Sequence, residues 1–98
     1  MLDELLESGE STGLACFRER FRPDELAETL VAFANGSGGS ILIGVAGRVR
    51  PRIEGVSDVV AAEEAALEAA LACTPPLVLP LPRTVQHQSG TVLILEVP

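Results

Sequence analysis

Six arginines are the residues of this chain whose type and spacing best suit chemistry. Arg18, Arg20 and Arg22 form one alternating triplet, and Arg48, Arg50 and Arg52 form a second. On an extended backbone, alternate residues point to one side, so each triplet would set three guanidinium groups on one face. A guanidinium is a permanent cation whose planar fork of N–H donors matches a phosphate or a carboxylate. If the two triplets meet in space, they make one basic stripe able to hold phosphates. The other reading takes them as solvated charges at element ends, paired with Glu19, Asp24 and Glu54, as charge tracts commonly are. The complete absence of lysine, with abundant Ala, Leu and Arg, also fits a GC-rich genome.

Other reactive groups are sparse. Cys16 and Cys73 are the two cysteines and His87 is the single histidine. Without a secretory signal, two cysteines read as reduced thiols rather than a bridge. No C-x-x-C occurs, and one histidine is too few for a metal site, so no metal or other cofactor is expected. A Cys/His nucleophile pair is conceivable, but a cysteine in apolar surroundings usually serves packing. His87 stands beside a predicted hairpin turn, Gln88-Ser89-Gly90, as a solvated flank. The Ala34-Asn35-Gly36-Ser37-Gly38-Gly39 turn could cradle an anion with its N–H groups. Its glycines follow a helix and precede a strand, however. Phosphate loops run strand, glycines, helix, and this turn matches neither G-x-x-x-x-G-K-S/T nor G-x-G-x-x-G. It reads as a tight helix-to-strand connection.

The chain has 98 residues, enough for a single domain over 1–98, with 47% hydrophobic residues and a net charge of −7. That charge opposes simple electrostatic attraction to nucleic acid. Its distribution is uneven, with Asp3, Glu4, Glu7 and Glu10 at the N-terminus and Asp58, Glu63, Glu64 and Glu68 on a later helix. The apolar excess in so short a chain favours an oligomer, most simply a two-fold dimer, or a domain of a larger protein. No apolar run approaches the roughly 20 residues that span a bilayer. The N-terminal MLDELLESGES is acidic and unlike a signal peptide, so a cytoplasmic location without membrane contact is expected.

The elements that would position these residues are legible. Leu2, Leu5 and Leu6 suggest a short helix over 2–8. Residues 14–21 have a strand pattern, with Leu14, Cys16 and Phe21 inward. Pro23 suits a first helical position, and Asp24 and Glu25 suit the positive end of the helix dipole. Leu26, Leu30, Phe33 and Ala34 then form an apolar stripe. Asn35-Gly36 is a stop signal, since both tolerate left-handed backbone. Ile41 to Val45 reads as a strand covered on both faces. Val49, Ile53 and Val56 suggest a short extended return, interrupted by Pro51. Ser57 is a candidate N-cap for a helix from Val59 to Cys73 with Val59, Val60, Leu67 and Leu71 as its apolar positions. Thr74-Pro75-Pro76 ends it. Pro80 and Pro82 mark the stretch from Leu77 to Val85 as an edge or irregular strand. Thr91 to Val97 closes the fold as a second strong strand. The order predicts an α/β (α+β) two-layer sandwich: a mixed β-sheet, two main helices and a short N-terminal helix.

Taken together, these residues resemble the Schlafen AlbA-type domain, the DNA-binding domain once called divergent AAA. The resemblance is carried by Gly9-Glu10-Ser11, Leu14 with Phe17-Arg18, Ala32-Phe33-Ala34-Asn35, Gly38-Gly39, Ile43-Gly44-Val45 and Ile53-Glu54-Gly55-Val56. It covers nearly the whole chain. It implies an α/β domain of bacterial transcriptional regulators and Schlafen proteins, with nucleic-acid binding as the role usually proposed. Glu10, Ser11, Phe33, Asn35, Gly38, Gly39 and Gly44 would then be structural motif residues. Some Schlafen members cleave RNA with three acidic residues. One would match Glu10. Where the second and third belong, this chain has Ala15 or Cys16, and Ala46-Gly47. Metal-assisted cleavage needs several converging carboxylates, so no nuclease activity is expected. Glu10 and Ser11 would tie down the turn before the first strand. Two functions remain: a module that binds DNA or RNA phosphates through the two arginine tracts, and a self-association module with no nucleic-acid partner.

Overall fold

A computed structural model of the chain describes residues 13–47 and 49–98. The helix expected over 2–8, together with Glu10, Ser11 and Arg48, lies outside the described residues. The two most apolar strands form the middle of a four-stranded sheet. They are β2 (Gly39–Ile43) and β6 (Gly90–Val97), the latter numbered after β3 (Val45–Ala46), β4 (Arg52–Ile53) and β5 (Arg83–His87). With β1 (Leu14–Phe17), the order across the sheet is β1-β2-β6-β5. β1 runs parallel to β2, while β6 is antiparallel to both β2 and β5, so the sheet is mixed, as the sequence predicts. Alternation sorts the side chains. Ile41, Ile43, Leu93, Leu95 and Val97 face the helices. Leu42, Val92 and Ile94 join Leu14 and Val45 on the opposite face. Both faces of the central strands are buried, which is why those strands read as almost unbroken apolar runs.

Helix α1 (Pro23–Asn35) begins with Pro at its first turn and Asp24 and Glu25 beside its positive end. It buries Leu26, Leu30 and Phe33; Ala34, expected in the stripe, is exposed. Its end differs from expectation. Gly36 stops the helix at φ −105°, outside the left-handed region, and its N–H reaches the Ala32 and Phe33 carbonyls. The left-handed residue is Gly38, at φ +79°. A Cβ there would lie 2.3 Å from the Val97 carbonyl oxygen. The glycine is required because the connection passes directly over the end of β6. This turn is therefore a close-packed helix-to-strand connection.

Helix α2 (Val59–Leu71) corrects two expectations. Its N-cap is Asp58 rather than Ser57, with the Asp58 carboxylate accepting the Ala61 N–H at 3.1 Å. Its buried face is made of alanines, Ala62, Ala66, Ala69 and Ala70. Val60 and Leu71, expected inward, are 67% and 61% exposed. The helix packs on both α1 and β6. Small side chains at the contact let the helix axes approach closely, and larger ones at those positions would force them apart. The chain then runs irregularly to Arg83, where the edge strand β5 begins, so the strand expected from Leu77 is shorter. No helix among the described residues is long and apolar enough to cross a membrane.

Two substitutions separate the observed face of α2 from the expected one. Ala66→Leu would overpack a fully buried site and cost about 1–3 kcal/mol. Leu71→Ala would change stability by no more than about 0.5 kcal/mol, as surface changes do. Urea denaturation of both variants checks this; the reverse ranking would place the leucines inward.

Candidate nucleic-acid interface

One backbone junction sets Arg18 of the first tract beside Glu54, two residues past Arg52 of the second. β2 ends at Ile43, and Gly44 follows at φ +103°. The Gly44 N–H donates to the Phe17 carbonyl at 2.8 Å, which fixes the end of β1. The Gly44 carbonyl accepts the N–H groups of Glu54 and Gly55 at 2.8 and 2.9 Å, which fixes the chain leaving β4. A Cβ at Gly44 would lie 2.9 Å from Val56 Cγ2, so a side chain meets both strain and a packed neighbour. The residue after Phe17 is Arg18. It is thereby delivered to Glu54.

Arg18 donates Nε–H to Glu54 Oε1 at 2.8 Å and Nη2–H to Oε2 at 2.9 Å, a fork-to-fork pair. Arg52 Nη2 stands 3.7 Å from the same Oε2. One arginine of each tract therefore shares a single carboxylate. The Arg18 hydrogen bonds, with the charges of Arg18 and Arg52, hold the Glu54 carboxyl below the usual carboxylate range. The pair is exposed and screened by water, so it orders side chains more than it stabilises the fold.

The first tract is not the extended ladder that its spacing suggests. β1 stops at Phe17 rather than Phe21, and Glu19-Arg20 makes a turn. Phe21 folds back so that its ring meets Phe17 edge to face, with centroids 6.4 Å apart. Arg22 is 3.7 Å from Asp24. Arg20 and Arg50 make no ion pair among the described residues. Arg18, Arg20 and Arg22 still line one open groove of about 600 Å³, along the outer edge of β1, with Glu25, Glu28 and Thr29 of α1 on its far wall. The Asp24 and Glu54 pairings expected of solvated charges are present. Glu19 does something else. Its carboxylate accepts the N–H of Ser57 at 3.0 Å, the N–H of Asp58 at 2.9 Å and the Ser57 hydroxyl at 3.0 Å. These are donors in front of α2, so Glu19 caps that helix from another part of the chain. Spacing gives no signal for this contact, because the partners are 38 and 39 residues apart.

The remaining candidates fall elsewhere. Phe33 is buried in the core and Asn35 is the exposed last residue of α1. Cys16 and His87 lie on β1 and β5, the two opposite edges of the sheet. Three strand spacings put them roughly 14 Å apart, too far for a nucleophile and its base. His87 Nδ1 accepts the Ser89 N–H at 3.0 Å within the hairpin turn. The seventh arginine, Arg83, is bound to Glu96 at 2.8 Å on β6, away from both tracts. Ala15 and Cys16 pair with Ile41 and Leu42. Among the described residues, no group of three His, Cys, Asp or Glu side chains is placed to hold a metal.

The Glu19 cap predicts a pH dependence. The Ser57 and Asp58 N–H groups lower its pKa from the ordinary 4.5. A lowered folded-state pKa contributes stability that is complete above the unfolded value and fades as pH falls through the folded one. Glu19→Gln should therefore cost stability at pH 7 and flatten the wild-type loss of stability below about pH 4.5. Denaturation midpoints of both proteins from pH 7 to pH 3 test it; parallel curves would contradict the cap.

Comparison with known proteins follows the same outline. The N-terminal domain of a RecG-related protein from Nitrosomonas europaea, solved in solution, is similar with a TM-score of 0.82 and 26% identity, covering 99% of this chain and 69% of that one. A crystal structure from Corynebacterium diphtheriae shares the fold at a TM-score of 0.55 and 17% identity, over 98% of this chain and 21% of its own. No curated protein matches the chain. The family model described as Schlafen, AlbA_2 matches residues 11–98. That match spans most of the chain, and the chain belongs to the Schlafen AlbA_2 family.

Proposed function

We propose that this chain is a nucleic-acid-binding module that grips phosphates through Arg18, Arg20, Arg22, Arg48, Arg50 and Arg52. The observation that carries the reading is the convergence of Arg18 and Arg52, one from each tract, on the Glu54 carboxylate. It supports a surface shared by arginines of both tracts on an acidic protein, bordered by Glu25 and Glu28 of α1. The family supports the same reading, and the name of the Nitrosomonas relative ties that protein to an ATP-dependent DNA helicase. Phosphate contact positions a duplex or a single strand without reading its sequence. Among the described residues, the arginines of the first tract line an open groove beside β1 and α1 rather than the face of one helix, so the module would bind with little base preference. It would do so without cleaving, because Ala15, Cys16, Ala46 and Gly47 cannot supply the second and third carboxylates of a nuclease. A cytoplasmic place suits such a partner.

A second reading, self-association as a homodimer, is supported by the exposed apolar side chains of Val60, Leu71, Val78 and Leu81. Large exposed apolar residues often mark contact surfaces. The two readings are compatible, since a dimer would join two arginine surfaces.

Fluorescence anisotropy with labelled single- and double-stranded DNA and RNA, at two salt concentrations, tests the first reading. Affinity should fall steeply with salt, and the slope should shrink by about one phosphate equivalent for each contacting arginine removed. Unchanged binding after Arg18, Arg20, Arg48 and Arg50 are all replaced by Ala would overturn it. Analytical ultracentrifugation at high concentration tests the second, and a strictly monomeric profile would overturn that one.

A further inference from the structure

We propose that Glu54 sets the affinity of the arginine surface by occupying the Arg18 fork that a phosphate would take. The inference rests on the nucleic-acid reading above and adds an internal competitor to it. A guanidinium fork accepts two oxygens of a carboxylate or two of a phosphate in the same way. In this chain the fork is filled, at 2.8 and 2.9 Å. Glu54 cannot diffuse away, since its own N–H is held by the Gly44 carbonyl. A tethered ligand of this kind competes at high effective concentration.

The same geometry makes the competitor displaceable. The Arg18 side chain is 68% exposed and the Glu54 side chain 30% exposed. A Glu54 rotamer change would release the fork without disturbing the backbone bonds to Gly44. Arg52, at 3.7 Å from the carboxylate, is drawn toward it without a direct hydrogen bond. A phosphate that replaces the carboxylate would therefore gain Arg18 outright and find Arg52 alongside. Exposed ion pairs are weak, so the competition should lower affinity modestly, by about two- to fivefold.

The test uses Glu54→Gln, which keeps size and polarity but removes the charge. Any lost negative charge raises affinity for a polyanion somewhat, so Glu64→Gln, on the exposed face of α2, is the control. With labelled single- and double-stranded DNA at low salt, E54Q should bind about two- to fivefold tighter than wild type, and E64Q should gain less. The extra gain should vanish in R18A/E54Q relative to R18A, because the fork is then absent. Wild-type affinity in E54Q overturns the inference and leaves the nucleic-acid reading standing. So does a gain that E64Q equals and that survives in R18A. Failure of both wild type and E54Q to bind at low salt overturns both. Binding by E54Q where wild type shows none would be the strongest form of the expected result.

Discussion

The backbone at Gly44 is the constraint on which this surface depends. Its N–H holds the end of β1 and its carbonyl holds the chain leaving β4. Both bonds need the left-handed turn at φ +103°, and the space where a side chain would go is filled by Val56. Two loops distant in sequence are thereby set side by side. Arg18 and Arg52 meet at Glu54 because their backbones have already been brought together. Ion pairing between exposed side chains could not have organised this, since such pairs contribute little.

Two carboxylates then divide the work around that junction. Glu19 faces inward to backbone N–H groups and fastens the β1–α1 loop to the start of α2. Glu54 faces outward to guanidinium groups. The first is a structural bond between main chain and side chain. The second is an exposed contact that an external anion can exchange with. The contrast follows from what each oxygen touches: a fixed helix terminus in one case, flexible arginine side chains in the other.

Much of the fold was legible because its signals are local. Pro23, the Leu26-Leu30-Phe33 spacing and the glycines after Asn35 outline α1 and its exit. The apolar runs around Leu42 and Ile94 mark the central strands. The α2 face is not legible in the same way, because hydrophobicity ranks valine and leucine above alanine, whereas a close helix contact selects for small volume. Ser57 and Asp58 are both good caps by type, and only the Ala61 N–H, 3.1 Å from the Asp58 carboxylate, distinguishes them. At the site, spacing identified the arginines and the glutamates able to pair with them. It could not reveal that Glu19 binds backbone across nearly forty residues, nor that β1 stops at Phe17, where its last partners are Ile43 and Gly44. The Arg18-Arg20-Arg22 alternation suggests a ladder, but the turn at Glu19-Arg20 bends it around a groove.

Two separate arginine tracts should act as one surface. Backbone amide chemical-shift mapping during titration with a short single-stranded DNA tests it most directly. Shifts that move together at residues 18–22 and 50–58, with one common affinity, are the predicted result. Shifts confined to one tract, or centred on α2 and the segment around Val78 and Leu81, would contradict it.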